Sequence, residues 1–331
     1  MIDTVWLTTR NFDILSNNKF DERPVIKHTG EYIGKKVCNF GDKEHAQSAP
    51  APGGNITVFD SFGGSQLLEF NVSLPKLLFG HSLTEITPDH FEQCINAIHG
   101  QLAFAGVDID KKQIKHMRLA RIDFCRNIQI DGVMFDYLQI LKSAIMPHMQ
   151  TNHKKTTALW LNKCVEFTGY DKVTKTLTEK LESTAAGITP ETPRNKLRFE
   201  NRTKAGNATV FRILKRRTFA ECFDEQLAKS RLVSNFDNLR FDLNARPTVC
   251  SGDIGYLIAS STRHQIEKFF GMEYLLATVG GDIEQIRQYF SVRYNERQVR
   301  NIVKEYRAHV ESTRPAMQRT MITEMRHKLA A

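Results

Sequence analysis

The longest run of two-residue alternation in the chain is MRLARIDFCRNIQI, residues 117–130. Side chains alternate faces along a strand, so residues two apart share a side. Read that way, Leu119, Arg121 and Asp123 point one way, and Ala120, Ile122 and Phe124 the other. A strand of this kind needs an apolar layer against one side only. It therefore predicts a sheet with one packed and one polar face.

Several other stretches repeat the signal. IDTVWLTT (2–9), YIGKKVCNF (32–40), NITVFD (55–60), QLLEFNVSL (66–74), TTALWLNKCVEF (156–167) and KLRFENRTK (196–204) all read as strands. The loop SAPAPGG (48–54) cannot continue regular structure. A helix is expected from Thr87-Pro88, with Phe91, Cys94, Ile95 and Ile98 on one side, and DGVMFDYLQILKSAI (131–145) is amphipathic. The fold class is α+β: a mainly antiparallel sheet with helices packed on one face, followed by a helical C-terminal region. Residues 1–210 are expected to form the sheet domain and 211–331 the helical region. Its helices are FAECFDEQLAKS (219–230), residues 258–278, GDIEQIRQYF (281–290) and NERQVRNIVKEYRAHV (295–310), before a polar tail. STAAGITPETP (183–193) reads as a loop between two strands.

Composition narrows the partners. The 331 residues contain 46 Lys plus Arg against 37 Asp plus Glu, a net charge of +9. An excess of this kind favours polyanions such as nucleic acid. No apolar run reaches membrane-spanning length and no signal peptide is visible, so a cytoplasmic protein with no membrane partner is expected. Six cysteines lie far apart with no C-x-x-C pair, which argues for reduced thiols rather than zinc or disulfides.

Strand parity collects carboxylates. Arg198, Glu200 and Arg202 share one side of KLRFENRTK, Glu69 and Asn71 one side of QLLEFNVSL, and Tyr170 and Lys172 point together in FTGYDK (167–172). One polar face can thus carry Glu69, Asp123, Tyr170, Lys172 and Glu200. Neighbouring carboxylates repel unless a cation lies between them, and oxygen ligands suit Mg²⁺ or Mn²⁺. The alternative is a solvated outer face, with Arg121–Asp123 and Arg198–Glu200 as surface ion pairs.

The ordered set LEFNVSLPKLLFGH, RLARIDFCRNI, FTGYDK and KLRFENR, across roughly residues 60–205, resembles the filamentous-phage gene II and gene X replication initiators. It is similar, more distantly, to the initiators of staphylococcal rolling-circle plasmids. The resemblance implies an origin-specific nicking and joining endonuclease that starts rolling-circle replication through a 5′-phosphotyrosyl link. It implies Tyr170 as nucleophile, Asp123 and Glu200 as metal ligands with Glu69 as a third, and Lys172 at the scissile phosphate or the tyrosine oxygen. The implied partners are single-stranded or supercoiled origin DNA, a host polymerase and a host helicase. The His-hydrophobic-His triplet common in such enzymes is absent from the sequence. Two further readings stay open: a non-catalytic origin- or operator-binding protein, and a nuclease that uses water.

Positive charge concentrates twice. Residues 194–217 hold nine basic residues and one acidic residue, Glu200. With Arg121, the residues expected to meet DNA there are Arg198, Arg202, Lys204, Arg212, Lys215, Arg216 and Arg217. Further on, Arg293, Arg297, Arg300, Lys304 and Arg307 recur at helical spacing opposite an apolar stripe. With the preceding helix this suggests a helix-turn-helix; a basic helix facing solvent fits equally.

Overall fold

The computed structural model describes residues 1–16, 20–22, 25–26, 32–39, 54–60, 66–204, 206–241, 287, 290–291 and 294–331. Its centre is a ten-stranded sheet. In chain order the strands are β1 (Ile2–Thr9), β2 (Asp21–Glu22), β3 (Lys35–Asn39), β4 (Gly54–Asp60), β5 (Gln66–Ser73), β6 (Arg118–Gln129), β7 (Gln150–Thr151), β8 (Thr157–Leu161), β9 (Val165–Asp171) and β10 (Lys196–Thr203). Spatially they run β7-β8-β9-β10-β6-β1-β5-β4-β3-β2. Every neighbouring pair is antiparallel. With its helices this is the α+β class that the alternation predicts.

The apolar side of the sheet is covered by α2 (Phe91–Phe104), α3 (Met134–Ser143), α7 (Glu225–Asp237) and the end of α8 (Glu296–Ala330). Other helices include α1 (Leu74–Phe79), α4 (Lys172–Thr178), α5 (Lys180–Ala185) and α6 (Asn207–Leu214), with two short ones at Lys111–His116 and Phe219–Cys222. Trp160, Phe167, Phe199 and Phe236 form a continuous row of ring contacts that ties β8, β9 and β10 to α7. Gly169 sits where α3 comes closest: a Cβ there would stand 2.8 Å from Leu141 Cδ1 and 3.2 Å from Phe199 Cε1. A side chain at this position would push helix and strand apart.

Three expectations change. Leu119 does not share a face with Arg121. The β1–β6 register shifts, with Trp6 opposite Arg121 but Leu7 opposite Leu119, and this bulge turns Leu119 into the core. The strand expected through FTGYDK stops at Asp171, and two short helices, α4 and α5, follow before the expected loop, of which only Ser183–Ala185 is helical; Asp171 caps the first helix by accepting the Thr174 N–H. The polar tail is helical through Ala330, and Met321, Met325 and Leu329, four apart, enter the same core as the sheet.

No break in the core falls at residue 210: Val210, Leu214, Ala228, Leu232 and Phe236 belong to it. Residues 242–286, which carry the helix expected at 258–278 and much of GDIEQIRQYF, lie outside the described residues. Among the described residues, no helix is long and apolar enough to cross a membrane. The described cysteines are all free thiols.

Candidate functional site

In an antiparallel ladder, residues directly opposite one another point to the same side. Tyr170 faces Arg198, Glu200 faces both Thr168 and Cys125, and Arg202 faces both Asp123 and Glu166. Thr8 faces Glu69, and Trp6 faces Asn71 and Arg121. One side of the sheet therefore carries Tyr170, Glu200, Asp123 and Glu69. Along this side the charged residues separate into two clusters.

The first cluster is sealed. Arg198 is fully buried, with Nη2 2.7 Å from Asp3 Oδ1 and Nε 2.8 Å from Glu200 Oε1, while Nη1 donates to the Ser82 carbonyl at 2.6 Å. The Tyr170 hydroxyl, also buried, donates to Glu200 Oε1 at 2.5 Å. Burial first, then the Glu200 carboxylate, pushes the phenol well above its ordinary value. Burial would also raise the Asp3 carboxyl, but Arg198 and then Lys172 hold it low.

Lys172 lies on the same side yet does not reach the phenol. The strand ends at Asp171, and as the first residue of α4 Lys172 donates to Ser82 Oγ, with Glu182 Oε1 3.4 Å away. Burial, then Arg198, draws its ammonium down to about 8 against the pull of Glu182. Glu182 also accepts the Ser82 backbone N–H at 2.8 Å and pairs with Lys76 at 2.8 Å. The lysine at the phenol is Lys175, one helical turn on. Its Nζ donates to the Tyr170 hydroxyl at 3.4 Å and lies 4.4 Å from the ring centroid. Lys175 lies beyond FTGYDK, and strand parity, which pairs Tyr170 with Lys172, does not reach it.

The second cluster is open. Asp123 is buried, but its partners are not: Arg121 grips both carboxylate oxygens at 2.9 and 2.5 Å, and Arg202 Nε donates at 3.1 Å. Arg202 Nη1 also donates to Glu166 at 2.8 Å, and Lys204 to the same carboxylate at 2.5 Å. Burial pushes the Asp123 carboxyl up, while Arg121 and Arg202 oppose it. The side chains of Arg121, Arg202 and Lys204 remain 22%, 33% and 30% exposed.

The three expected metal ligands do not converge in this arrangement. Asp123 is held by Arg121 and Arg202, and Glu200 by Arg198 and Tyr170. Glu69 stands two strands away from Asp123, its carboxylate accepting from the Trp6 indole. Among the described residues, no group of three ligating side chains is close enough to hold an ion. Asp123 and Glu200 are each paired with guanidinium groups and Glu69 lies apart from both, so this donor set does not fit Mg²⁺ or Mn²⁺ as it stands.

The remaining basic residues are scattered. Arg212 donates to Cys164 Sγ at 3.3 Å, Lys215 forms the left-handed cap of α6 at φ 56°, Arg216 lies 4.0 Å from Asp224, and Arg217 stacks on Phe211 at 4.1 Å. On α8, Arg297, Arg300 and Lys304 are exposed, while Val299 and Val303 are buried. Arg293 and the Arg307 side chain lie outside the described residues, as does most of the first half of the expected helix-turn-helix. Of the other histidines, His81 accepts the Leu83 N–H through Nδ1 at 3.2 Å. Comparison with family models, with curated proteins and with solved structures finds no match for this chain.

Proposed function

We propose that the chain is a rolling-circle replication initiator, an origin-specific DNA nicking–joining enzyme with Tyr170 as nucleophile. The observation that carries this reading is the Tyr170 hydroxyl, set between the Glu200 carboxylate at 2.5 Å and the Lys175 ammonium at 3.4 Å. A phenol pushed above its ordinary value needs a base to attack at neutral pH, and Glu200 is within direct proton-transfer distance. Lys175, whose ammonium lies 4.4 Å from the ring centroid, is itself exposed.

The exchange balances. As the tyrosine oxygen bonds to phosphorus, its proton passes to Glu200 and the bond to the 3′ oxygen breaks. The 3′ oxygen takes a proton from solvent and leaves as a hydroxyl. Lys175 offsets negative charge on the phosphoryl oxygens. Reversal by a free 3′-hydroxyl rejoins the strand without ATP, because the phosphotyrosyl link keeps the energy of the phosphodiester. The cytoplasm of a bacterial host, with its polymerase and helicase, is the setting this reading implies. Magnesium or manganese belongs to the test, and no step above runs through it.

A second reading has an observation in its favour. Tyr170 is only 4% exposed, and every carboxylate expected to ligate a metal is already paired, which suits a DNA-binding protein without chemistry. Incubation with supercoiled plasmid carrying the cognate origin, with and without Mg²⁺ or Mn²⁺, separates the readings. The expected result is a covalent protein–DNA adduct on a denaturing gel, abolished in Tyr170→Phe while origin binding stays within a few-fold. An adduct that survives in Tyr170→Phe overturns the nucleophile. Nicks without adduct indicate attack by water, and binding without cleavage establishes the second reading.

A further inference from the structure

The two tryptophans of the sheet are set on opposite sides. Trp160 is fully buried on the packed side, its indole N–H satisfied by the Ala144 carbonyl at 2.9 Å. Trp6 points to the polar side from β1, next to the centre of the sheet, and is only half-buried. Its single polar atom is already used, since the indole N–H donates to Glu69 on the adjacent strand. That bond turns the indole N–H toward Glu69, and the residue as a whole stays partly exposed. A partly exposed tryptophan among polar neighbours is a ready platform for a flat apolar partner.

Its neighbours select what that partner is. Arg121 lies directly across the ladder, and Arg202 and Lys204 follow on the next strand, all partly exposed. On the other flank Lys35 sits over the Phe59 ring at 5.6 Å, on the same side as Glu69. Asn71 stands opposite Trp6 with its Oδ1 buried and without a hydrogen-bond partner. An aromatic face flanked by cations and an amide matches a chain of flat bases joined by phosphates, with the bases unpaired so that their faces are free.

We infer that Trp6, oriented by Glu69 and flanked by Arg121 and Arg202, is a stacking platform for an unpaired base of single-stranded DNA lying across the polar face of the sheet. The inference rests on the DNA reading above and adds to it the residue on which an unpaired base would stack. Arg202 and Arg121 lie on the diagonal from Tyr170 to Trp6, so one strand can follow them between stack and nucleophile. Glu69 then orients the platform instead of ligating an ion.

The test uses the full chain and an oligodeoxythymidine, followed by tryptophan fluorescence and by binding titration. Single-stranded DNA should quench the Trp6 emission, while a blunt duplex of matched length should not. Trp6→Ala should weaken single-strand binding by roughly tenfold to a hundredfold. Trp6→Phe, which keeps a stacking face, should stay within a few-fold of the parent and lose the quenching. Equal binding by Trp6→Ala and parent, with both folded by circular dichroism, overturns the platform; so does equal quenching by duplex. If Trp6→Ala does not fold, weakened binding of Trp6→Phe to the level of a non-aromatic Trp6→Leu variant overturns it instead. Failure here is distinct from failure of the nicking reading: quenching without any adduct removes the enzyme and keeps the platform, whereas adduct formation with no effect at Trp6 does the reverse.

Discussion

Two clusters built from the same residue types occupy one side of one sheet. At one end Arg198, Asp3, Glu200 and Tyr170 are closed in by α1, α4, α5 and the turn at Ser82. Toward the middle, Arg121, Arg202, Lys204, Asp123 and Glu166 make similar pairs with their cations partly in water. Arginine–carboxylate distances do not distinguish them. What differs is the cost of separating the partners. In the sealed cluster a lone charge has no water to turn to; in the open one, a phosphate can replace a carboxylate with little loss.

The sharpest way to break the comparison is Arg198→Met. It strands Asp3 and Glu200 in the interior and should cost about 3–5 kcal/mol in urea unfolding; a loss like that of an exposed pair would erase the distinction. Next is the pH dependence of Lys172. Its folded value, about 8, lies below the ordinary 10.5, so the folded state disfavours its charged form. That penalty is complete below pH 8 and fades as pH rises from about 8 to 10.5. The stability of the parent relative to Lys172→Met should therefore grow by roughly 1–2 kcal/mol between about pH 7 and pH 9.5. A flat difference would mean that Lys172 is as well solvated as the open cluster. The smallest effect belongs to Lys204→Ala. Its pair with Glu166 is partly exposed, so unfolding should change by less than about 1 kcal/mol. Its DNA affinity should fall, and the salt dependence of binding should shallow by about one unit. A large stability loss with unchanged salt dependence would place Lys204 with the sealed residues.

Much of this face was legible in the alternation of KLRFENRTK and QLLEFNVSL, because both strands are regular over the residues that matter. Parity placed Tyr170, Glu200, Asp123 and Glu69 on one side, and the register agrees. It failed at Leu119, because a bulge is a property of two strands and one strand's sequence does not show it. It failed again at Lys172, where Asp171 ends the strand and caps a helix, handing the phenol to Lys175. The ion pairs Arg121–Asp123 and Arg198–Glu200 were visible as neighbours two apart, but not that the second would be buried. Depth depends on α1, α4 and α5 folding over that end of the sheet, and the long-range contact of Arg198 with Ser82 left no local trace. Gly169 likewise shows nothing locally of the helix that presses against it, where a Cβ would stand 2.8 Å from Leu141 Cδ1.

The return of α8 to the sheet has a consequence for how the molecule is assembled during synthesis. The central strands are all made by Thr203, yet Met321, Met325 and Leu329 supply part of their apolar cover. Until that stretch has left the ribosome, a nascent sheet carries an uncovered oily strip, the kind of surface that chaperones grip. A shortened chain that stops before α8 would not be a tidy catalytic fragment but an arrested folding intermediate, kept in solution only by whatever covers the strip in its place.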